Sequence, residues 1–485
     1  MHRRVRWQLI GLAVVVAGLA ARPGMGGWND GSRLASVQAL AERGSLVIAN
    51  TPYPTADKLA IGGVYLSDKP PLLAVGLAVP VWLARHILGL PDAAQRPDLF
   101  AWLVAFWAAA VSLAVLLLCL DEVGQAIGLA QPVRAVWLVS LLASTMIGAY
   151  AQHVNGHLPL LAVVAAVCAA VCTSRPGPCA AVPLAWLGTL AGVGYHLDAG
   201  AGPPLLPALA AWVWLRGGGV RGLVWLGLGA APWVIGYHAY NLAWGGTLRP
   251  LNMVPAFLAW PGSPFDTSNM TGLARHGPAQ QVVYALALLV GNHGFLNHNL
   301  PLLLAVTGSV GVWRRCRANA DGGADCRLQR GCGRAELAAL GSWCVAVWLS
   351  YAVLSNNYGG ACCSVRWFLP MLAPGWLILG LMLRDRPAAH GEFLWLSGCG
   401  AVLAWSMVAV GPWTLRMVPG MWPVVGVAVV GWLIVRRGRG RRRMTDATTE
   451  SRSTDASPNT LRNRPATNPT PQGRRWSVAG GWSRS

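Results

Sequence analysis

Long apolar runs separated by short polar segments dominate this chain. Such runs predict membrane-spanning α-helices, because the helix satisfies every backbone polar group internally within a hydrocarbon core of about 30 Å. Including the opening run there are twelve, at 1–21, 98–120, 132–150, 157–174, 180–196, 203–215, 221–242, 300–313, 337–354, 366–383, 393–410 and 421–435. The pattern predicts an all-α polytopic membrane protein with about twelve transmembrane helices, within a range of roughly eleven to fourteen.

Segment 71–90 is the one apolar run that resists a simple assignment. It is about as long as a span, but Pro80, Arg85 and His86 interrupt it. A single crossing there would reverse the sidedness of every later loop. We therefore predict a helix that lies at the outer interface. A second helix hidden between residues 71 and 97 would instead raise the count to about fourteen spans.

Clustered arginines predict the topology. The net charge is +20, and sixteen of these charges fall in segments 3–6, 314–335 and 436–485. Such clusters mark loops that stay in the cytoplasm, so the basic balance indicates topology and not nucleic-acid binding. An even number of spans places both termini in the cytoplasm of a bacterial cell, with the first helix retained rather than cleaved. The large first extracytoplasmic loop then covers about residues 22–70.

Composition excludes several classes of protein. Charged residues make up only 12% of the chain, against about 25% in soluble domains, so a soluble enzyme is excluded. The eleven cysteines lack the paired spacing of zinc sites. Residues 1–436 form the predicted membrane domain, and the Ser-, Thr-, Pro- and Arg-rich segment 437–485 is predicted to be a disordered basic cytoplasmic tail.

Candidate chemistry concentrates in the first outer loop, which carries both lysines of the chain. Residues Arg33 to Arg43 predict a short amphipathic juxtamembrane helix. Asp30 either caps that helix or acts at the membrane boundary, where an acid is a functional candidate. Lys69 precedes two prolines and either binds a lipid phosphate or extends its ammonium toward water. The further candidates for acceptor or sugar contacts are Asp57, Lys58, Asp68, Asp198, His153, His157 and Tyr358.

Two motifs in this loop resemble those of a known superfamily. The sequences NDGSRLA (29–35) and GGVYLSDKPPLL (62–73) resemble the first loop of the GT-C membrane glycosyltransferases, such as the protein O-mannosyltransferases and the lipid A aminoarabinose transferases. The resemblance implies that Asp30 serves the acceptor as base or orienting group and that Lys69 contacts the polyprenyl phosphate of the donor. Arg33 matches the arginine of the first motif. Gly31 stands where a second acid is usual, which leaves dependence on a divalent cation open.

A late motif extends this resemblance. NNYGGACCSVRWFLPMLAP (356–374) is similar to a Tyr-Gly-Gly, Gly-Pro-Arg and Leu-Pro pattern in bacterial members of the superfamily. Arg366 takes the arginine position, where a guanidinium can pair with a phosphate or extend to the membrane surface. Ser364 and Val365 replace the usual Gly and Pro.

The resemblance implies an inner-membrane enzyme that moves a sugar from a polyprenyl-phosphate donor to an extracytoplasmic acceptor such as a protein, lipid A or an envelope glycan. Asp30 is the predicted catalytic residue, and Lys69, Arg366 and Arg33 are the predicted phosphate ligands. No metal site is predicted. Two alternatives remain open: a lipid or glycolipid flippase, which would place ionisable residues along a path inside the spans, and a catalytically inactive member that acts in binding or assembly.

Overall fold

The fold is an array of helices with one small hairpin. The computed structural model describes residues 3–174, 180–265, 277–321, 332–355 and 357–455. The α-helices in these ranges are α1 Arg3–Ala20, α2 Trp28–Arg43, α3 Leu72–Leu88, α4 Pro97–Ala126, α5 Gln131–Ala143, α6 Ile147–Tyr150, α7 His157–Thr173, α8 Ala181–Leu197, α9 Leu205–Leu215, α10 Gly219–Gly245, α11 Pro255–Leu258, α12 Pro278–Val290, α13 Leu302–Asp321, α14 Arg334–Leu354, α15 Leu372–Asp385, α16 His390–Val410 and α17 Met421–Asp455. Short 3₁₀ helices cover Leu251–Met253, Arg366–Met371 and Pro387–Ala389.

The predicted polytopic helical architecture is confirmed. Ten of the twelve predicted runs each coincide with one helix, whereas run 132–150 is divided between α5 and α6 and run 366–383 begins as a 3₁₀ helix before α15. Within the described ranges, six helices are both long and apolar enough to cross a membrane: Pro97–Ala126, Gly219–Gly245, Arg334–Leu354, Arg366–Asp385, Pro387–Val410 and Met421–Gly438. Five further apolar helices are shorter, namely α3, α5, α7, α9 and α12.

The core forms where apolar helices exclude solvent and lipid on all sides. Helix α4 begins with a proline at its first position, which needs no backbone donor there. It packs against α1 and α7, while α8 packs against α10 and α13 against α15. Large side chains fill the interior, and Trp137 and Trp376 each donate their indole N–H to the other's backbone carbonyl oxygen, at 3.2 and 2.9 Å. These reciprocal bonds satisfy two polar groups that burial would otherwise leave unpaired.

Segment 71–90 is a single helix, α3, that runs along α2. Ala74, Leu77, Ala78 and Val81 form the buried face of α3 and share one apolar cluster with residues of α2. Immediately after α3, the backbone N–H of Ala93 donates to Glu42, near the end of α2. The chain thus contacts α2 along α3 and again just after it.

The first loop contains the only sheet in the described residues, the hairpin of β1 Lys58–Ile61 and β2 Val64–Ser67. Its turn uses Gly62 and Gly63, both with positive φ, which suits a tight two-residue turn. At the other end of the chain, α17 continues through residues 437–455, the first part of the predicted disordered tail; extending an existing helix needs no new nucleus. Residues 456–485 lie outside the described ranges.

Candidate functional site

The predicted juxtamembrane helix exists as α2, and its polar face is buried as well as its apolar face. It starts at Trp28, earlier than the predicted Arg33, and it ends at Gly44 in the left-handed conformation. Ser32, Arg33 and Ser36 are all buried. Burial of a polar helix face requires polar partners, and the hairpin supplies some of them.

The hairpin register brings two carboxylates to one lysine. Lys58 pairs with Ser67, so the residue before β1, Asp57, lies beside the residue after β2, Asp68. Lys69 Nζ lies 2.9 Å from Asp57 Oδ2 and 2.5 Å from Asp68 Oδ2. The three side chains predicted separately as site residues therefore form one ionic group.

This ionic group contacts α2 through a pair of serines, and the pKa values of its two acids are shifted in opposite directions. Ser67 Oγ lies 2.6 Å from Ser32 Oγ. Burial by itself would raise the pKa of Asp57, but Lys69 outweighs burial and holds the pKa below its ordinary value. Burial raises the pKa of Asp68, and Lys69 offsets this only in part while the Asp57 charge adds to it. Asp68 is thus the more basic carboxylate of the pair.

Two guanidinium groups stand next to these acids. Arg33 is 7% exposed, and burial lowers its pKa to about 10, an effect that Asp68 opposes and Arg366 reinforces. Arg366 opens a 3₁₀ helix, and its guanidinium carbon lies 5.3 Å from the ring centre of Trp413. The Nε atoms of both arginines are buried and have no hydrogen-bond partner among the described residues. Unsatisfied donors on adjacent cations favour an anionic ligand.

A narrow cleft opens beside this charge. The residues that line it are Arg33, Ser36, Leu46, Ser67, Lys69, Pro70, Pro71, Ala74 and Tyr240. Cations and hydroxyls form one part of its wall, and the first turn of α3 forms an apolar part. A phosphate linked to an apolar chain matches both parts.

His157 and Asp198 form a second close pair of side chains. His157 Nδ1 lies 3.1 Å from Asp198 Oδ2, and the backbone N–H groups of Gly200 and Ala201 donate to Asp198 Oδ1, both at 2.9 Å. Burial alone would raise the pKa of Asp198, but His157 and these two N–H groups hold the pKa well below its ordinary value. Tyr351 Oη also lies 3.4 Å from Asp198 Oδ1.

Asp30 is fully buried at the start of α2. Its carboxylate accepts hydrogen bonds from the backbone N–H groups of Gly26 and Gly27, at 2.7 and 2.8 Å, and lies 3.1 Å from His153 Nδ1. Both oxygens therefore already have donors, in the manner of an acid in the first turn of a helix.

Aromatic rings, and not the ionic group, surround the last two predicted site residues. Lys58 Nζ lies 4.3 Å from the ring centre of Tyr65 and 4.4 Å from that of Trp260. Tyr358 stacks against His293, with ring centres 5.7 Å apart. Asn356 of the late motif lies outside the described residues.

The acids of the site are poorly arranged for a divalent cation. A Cβ atom at Gly31 would lie 3.1 Å from the carbonyl oxygen of Pro54, so a second acid there would need the loop to shift. Asp57 and Asp68 already share the Lys69 ammonium. Within the part of the chain that the structure describes, no group of three or more His, Cys, Asp or Glu side chains could hold a metal.

Five residues at or near the site were not predicted from the sequence: Ser36, Ser67, Tyr240, Tyr351 and Trp413. Ser67 belongs to the second motif and Ser36 directly follows the first, so their positions close to Lys69 and Arg33 in the sequence were the available signal. Tyr240, Tyr351 and Trp413 lie in or next to apolar helices rich in aromatic residues, and their contacts join segments far apart in the chain. No local pattern distinguishes them from membrane anchors.

Comparison with known proteins gives two distant structural matches. No protein-family model matches the chain, and no curated protein matches it. The crystal structure of ArnT from Cupriavidus metallidurans bound to undecaprenyl phosphate is 16% identical over 90% of this chain and 76% of that chain, with a TM-score of 0.48. The apo structure of the same protein is 15% identical over 88% of this chain and 74% of that chain, with a TM-score of 0.47. At these values the likeness concerns the arrangement of helices and assigns no activity to the present chain.

Proposed function

We propose that the protein is a bacterial inner-membrane glycosyltransferase that moves a sugar from a polyprenyl-phosphate donor to an extracytoplasmic acceptor. One observation carries the proposal. Arg33 and Lys69 line a cleft with an apolar side, and Arg366 stands beside Arg33 with a buried, unpartnered Nε. A buried cation whose donor lacks a partner costs free energy, and a bound anion would supply the missing hydrogen bond.

The cations would hold the phosphate as it leaves. An acceptor oxygen attacks the anomeric carbon, the bond from that carbon to the phosphate oxygen breaks, and its electron pair departs with the polyprenyl phosphate. Arg33, Lys69 and Arg366 stabilise the charge that develops on the phosphate, which is where preorganised electrostatics contributes most.

A carboxylate would receive the acceptor proton. Asp68 suits this role because burial raises its pKa, and a base works best when its pKa approaches the working pH. The resemblance names Asp30 instead, but Asp30 is fully buried at the start of α2 and its carboxylate is engaged by Gly26, Gly27 and His153. We therefore place Asp68 as the acceptor base and Asp30 as a positioning residue.

Release of polyprenyl phosphate tests the proposal. Purified protein in lipid is incubated with radiolabelled polyprenyl-phosphate sugars and a crude envelope acceptor fraction. Wild type is expected to release polyprenyl phosphate, and Lys69→Ala and Asp68→Asn are expected to reduce the rate by at least about a hundredfold. Arg249→Gln, which changes an exposed arginine, is the matched control. Near-normal release by Asp68→Asn together with loss in Asp30→Asn would return the base role to Asp30.

Absence of release would favour the competing function. If labelled lipid crosses the bilayer while no donor is cleaved, the cationic cleft serves a flippase. The proposed orientation, with both termini in the cytoplasm, is tested separately by labelling single cysteines placed near each terminus from one side of intact cells.

A further inference from the structure

Trp413 packs against the guanidinium of Arg366. It lies in the loop between α16 and α17, with its ring centre 5.3 Å from the guanidinium carbon. A cation over an aromatic face is attracted to it, and the attraction grows when water is excluded. The contact leaves Arg366 Nε and Trp413 Nε1 buried without a hydrogen-bond partner among the described residues. The ring therefore restrains Arg366 without consuming its Nε donor.

The loop that carries Arg366 is fixed to the loop that carries Trp413. The backbone N–H of Cys363 donates to the carbonyl oxygen of Pro412 at 2.9 Å. Tyr150 Oη donates to the carbonyl oxygen of Ser364 at 2.7 Å, and the Tyr150 ring meets Trp413 edge-on with centres 5.9 Å apart. Both ends of the cation–π contact are thus anchored by backbone carbonyl groups.

On its other side Trp413 rests on the start of α2. A Cβ atom at Gly26 would lie 2.5 Å from Trp413 Cδ1 and 3.0 Å from the His153 ring, so only glycine allows this approach. Asp30 holds both neighbours, since it accepts the N–H of Gly26 at 2.7 Å and lies 3.1 Å from His153 Nδ1. The buried acid of the first motif therefore acts on the surface against which Trp413 packs.

We propose that Trp413 is a positioning residue, braced by Gly26, His153 and Asp30, that aims the Arg366 guanidinium at the phosphate of the lipid-linked ligand. This inference rests on the proposed function, because it assumes that the ligand of Arg366 is that phosphate. In this proposal Asp30 affects phosphate binding indirectly, because it holds Gly26 and His153, which pack against the Trp413 indole.

Binding of undecaprenyl phosphate to the purified protein in lipid nanodiscs tests the proposal without turnover. Trp413→Leu is expected to raise Kd about tenfold, while Trp413→Phe, which keeps an aromatic face, stays within about threefold of wild type. Trp405→Leu is the matched control, because Trp405 is 71% exposed on α16. In the Arg366→Gln background, Trp413→Leu is expected to add no further loss, since the two residues act as one unit.

A second variant guards against a general packing defect. Gly26→Ala changes neither Trp413 nor Arg366, but its added Cβ displaces the Trp413 indole. It is expected to raise the Kd for undecaprenyl phosphate about fivefold in the wild-type background and to leave that Kd unchanged in the Arg366→Gln background. Equal increases in Kd in both backgrounds, or wild-type binding by both Trp413→Leu and Gly26→Ala, would overturn the proposal that Trp413 positions Arg366. If wild type itself fails to bind undecaprenyl phosphate, the proposed function fails instead.

Discussion

Two arginines on different helices, Arg134 on α5 and Arg33 on α2, have very different surroundings. Arg134, on α5, donates through Nε to Asp121 Oδ1 at 2.7 Å and through Nη1 to the carbonyl oxygen of Leu129 at 3.2 Å. The other Asp121 oxygen accepts from Gln125 at 2.5 Å. Arg33, on α2, is buried, its Nε has no partner among the described residues, and the charges that act on it include both Asp68, which attracts it, and a second guanidinium, Arg366, which repels it.

On the proposed function, this difference separates charges that hold the fold from charges that bind the ligand. A buried cation with a matched acid can stabilise the native state, whereas two cations brought together oppose each other and depend on something else for compensation. Arg134 thus belongs to the helix scaffold. Arg33 and Arg366 produce a positive electrostatic potential that can attract an anion.

The largest expected effect is on binding at Arg33. Arg33→Gln should weaken the binding of undecaprenyl phosphate by about 3 kcal/mol, roughly a hundredfold in Kd, because it removes a desolvated cation from the anion. The thermal unfolding midpoint should change little, since the change relieves the burial of a charge and the repulsion with Arg366, and these offset the lost attraction to Asp68. Arg249→Gln provides the comparison. A variant that binds normally but unfolds earlier would show that Arg33 is a scaffold residue like Arg134.

The reverse result is expected for Arg134. Arg134→Gln leaves Asp121 buried without its cation and should lower the free energy of unfolding by about 2 kcal/mol, with no change in the Kd for undecaprenyl phosphate among correctly folded molecules. Denaturation in detergent followed by tryptophan fluorescence measures the first quantity. A loss of lipid binding with unchanged stability would remove the distinction between the two arginines.

Much of this fold could be predicted from the sequence, because long apolar runs report directly on membrane helices. All twelve runs contain helices, although two are broken, and α3 packs along α2. The burial of the polar face of α2 was not predictable in the same way. Alternation of apolar and polar positions indicates which face is apolar, but only the hairpin contact reveals that Ser32 and Arg33 are covered on the other face.

The site was predictable to the extent that its chemistry lies in local motifs. Lys69, Arg33 and Arg366 were identified from three short segments, and the structure brings them together with Asp57 and Asp68. Their partners depend on contacts between distant parts of the chain, so no local pattern indicates them. Asp30 shows the limit most clearly. Its residue type suggests a base, whereas in the structure its buried carboxylate accepts hydrogen bonds from the backbone of Gly26 and Gly27.

Asp198 sharpens the comparison because it lies in the site region yet is fully satisfied. Its pKa in the folded protein is below the ordinary value, so its stabilising effect is present at neutral pH and is lost as the pH falls below about 4 toward the folded-state pKa. Asp198→Asn should therefore lower the free energy of unfolding by roughly 1.5 kcal/mol at pH 7 and by less in acid. Unfolding midpoints of both proteins across this pH range measure the effect. A difference that grows toward low pH would contradict the assigned direction.

The smallest expected effect distinguishes the two lysines of the chain. Lys58 contacts the rings of Tyr65 and Trp260, whereas Lys69 pairs with two carboxylates and lines the cleft. Lys58→Met should lower the free energy of unfolding by only about 0.5–1 kcal/mol, the value of partly exposed cation–π contacts. It should leave the Kd for undecaprenyl phosphate unchanged, while Lys69→Met raises that Kd. Equal effects of the two substitutions on Kd would mean that the anion site extends along the hairpin to Lys58, since Lys58 lies opposite Ser67, which itself lines the cleft.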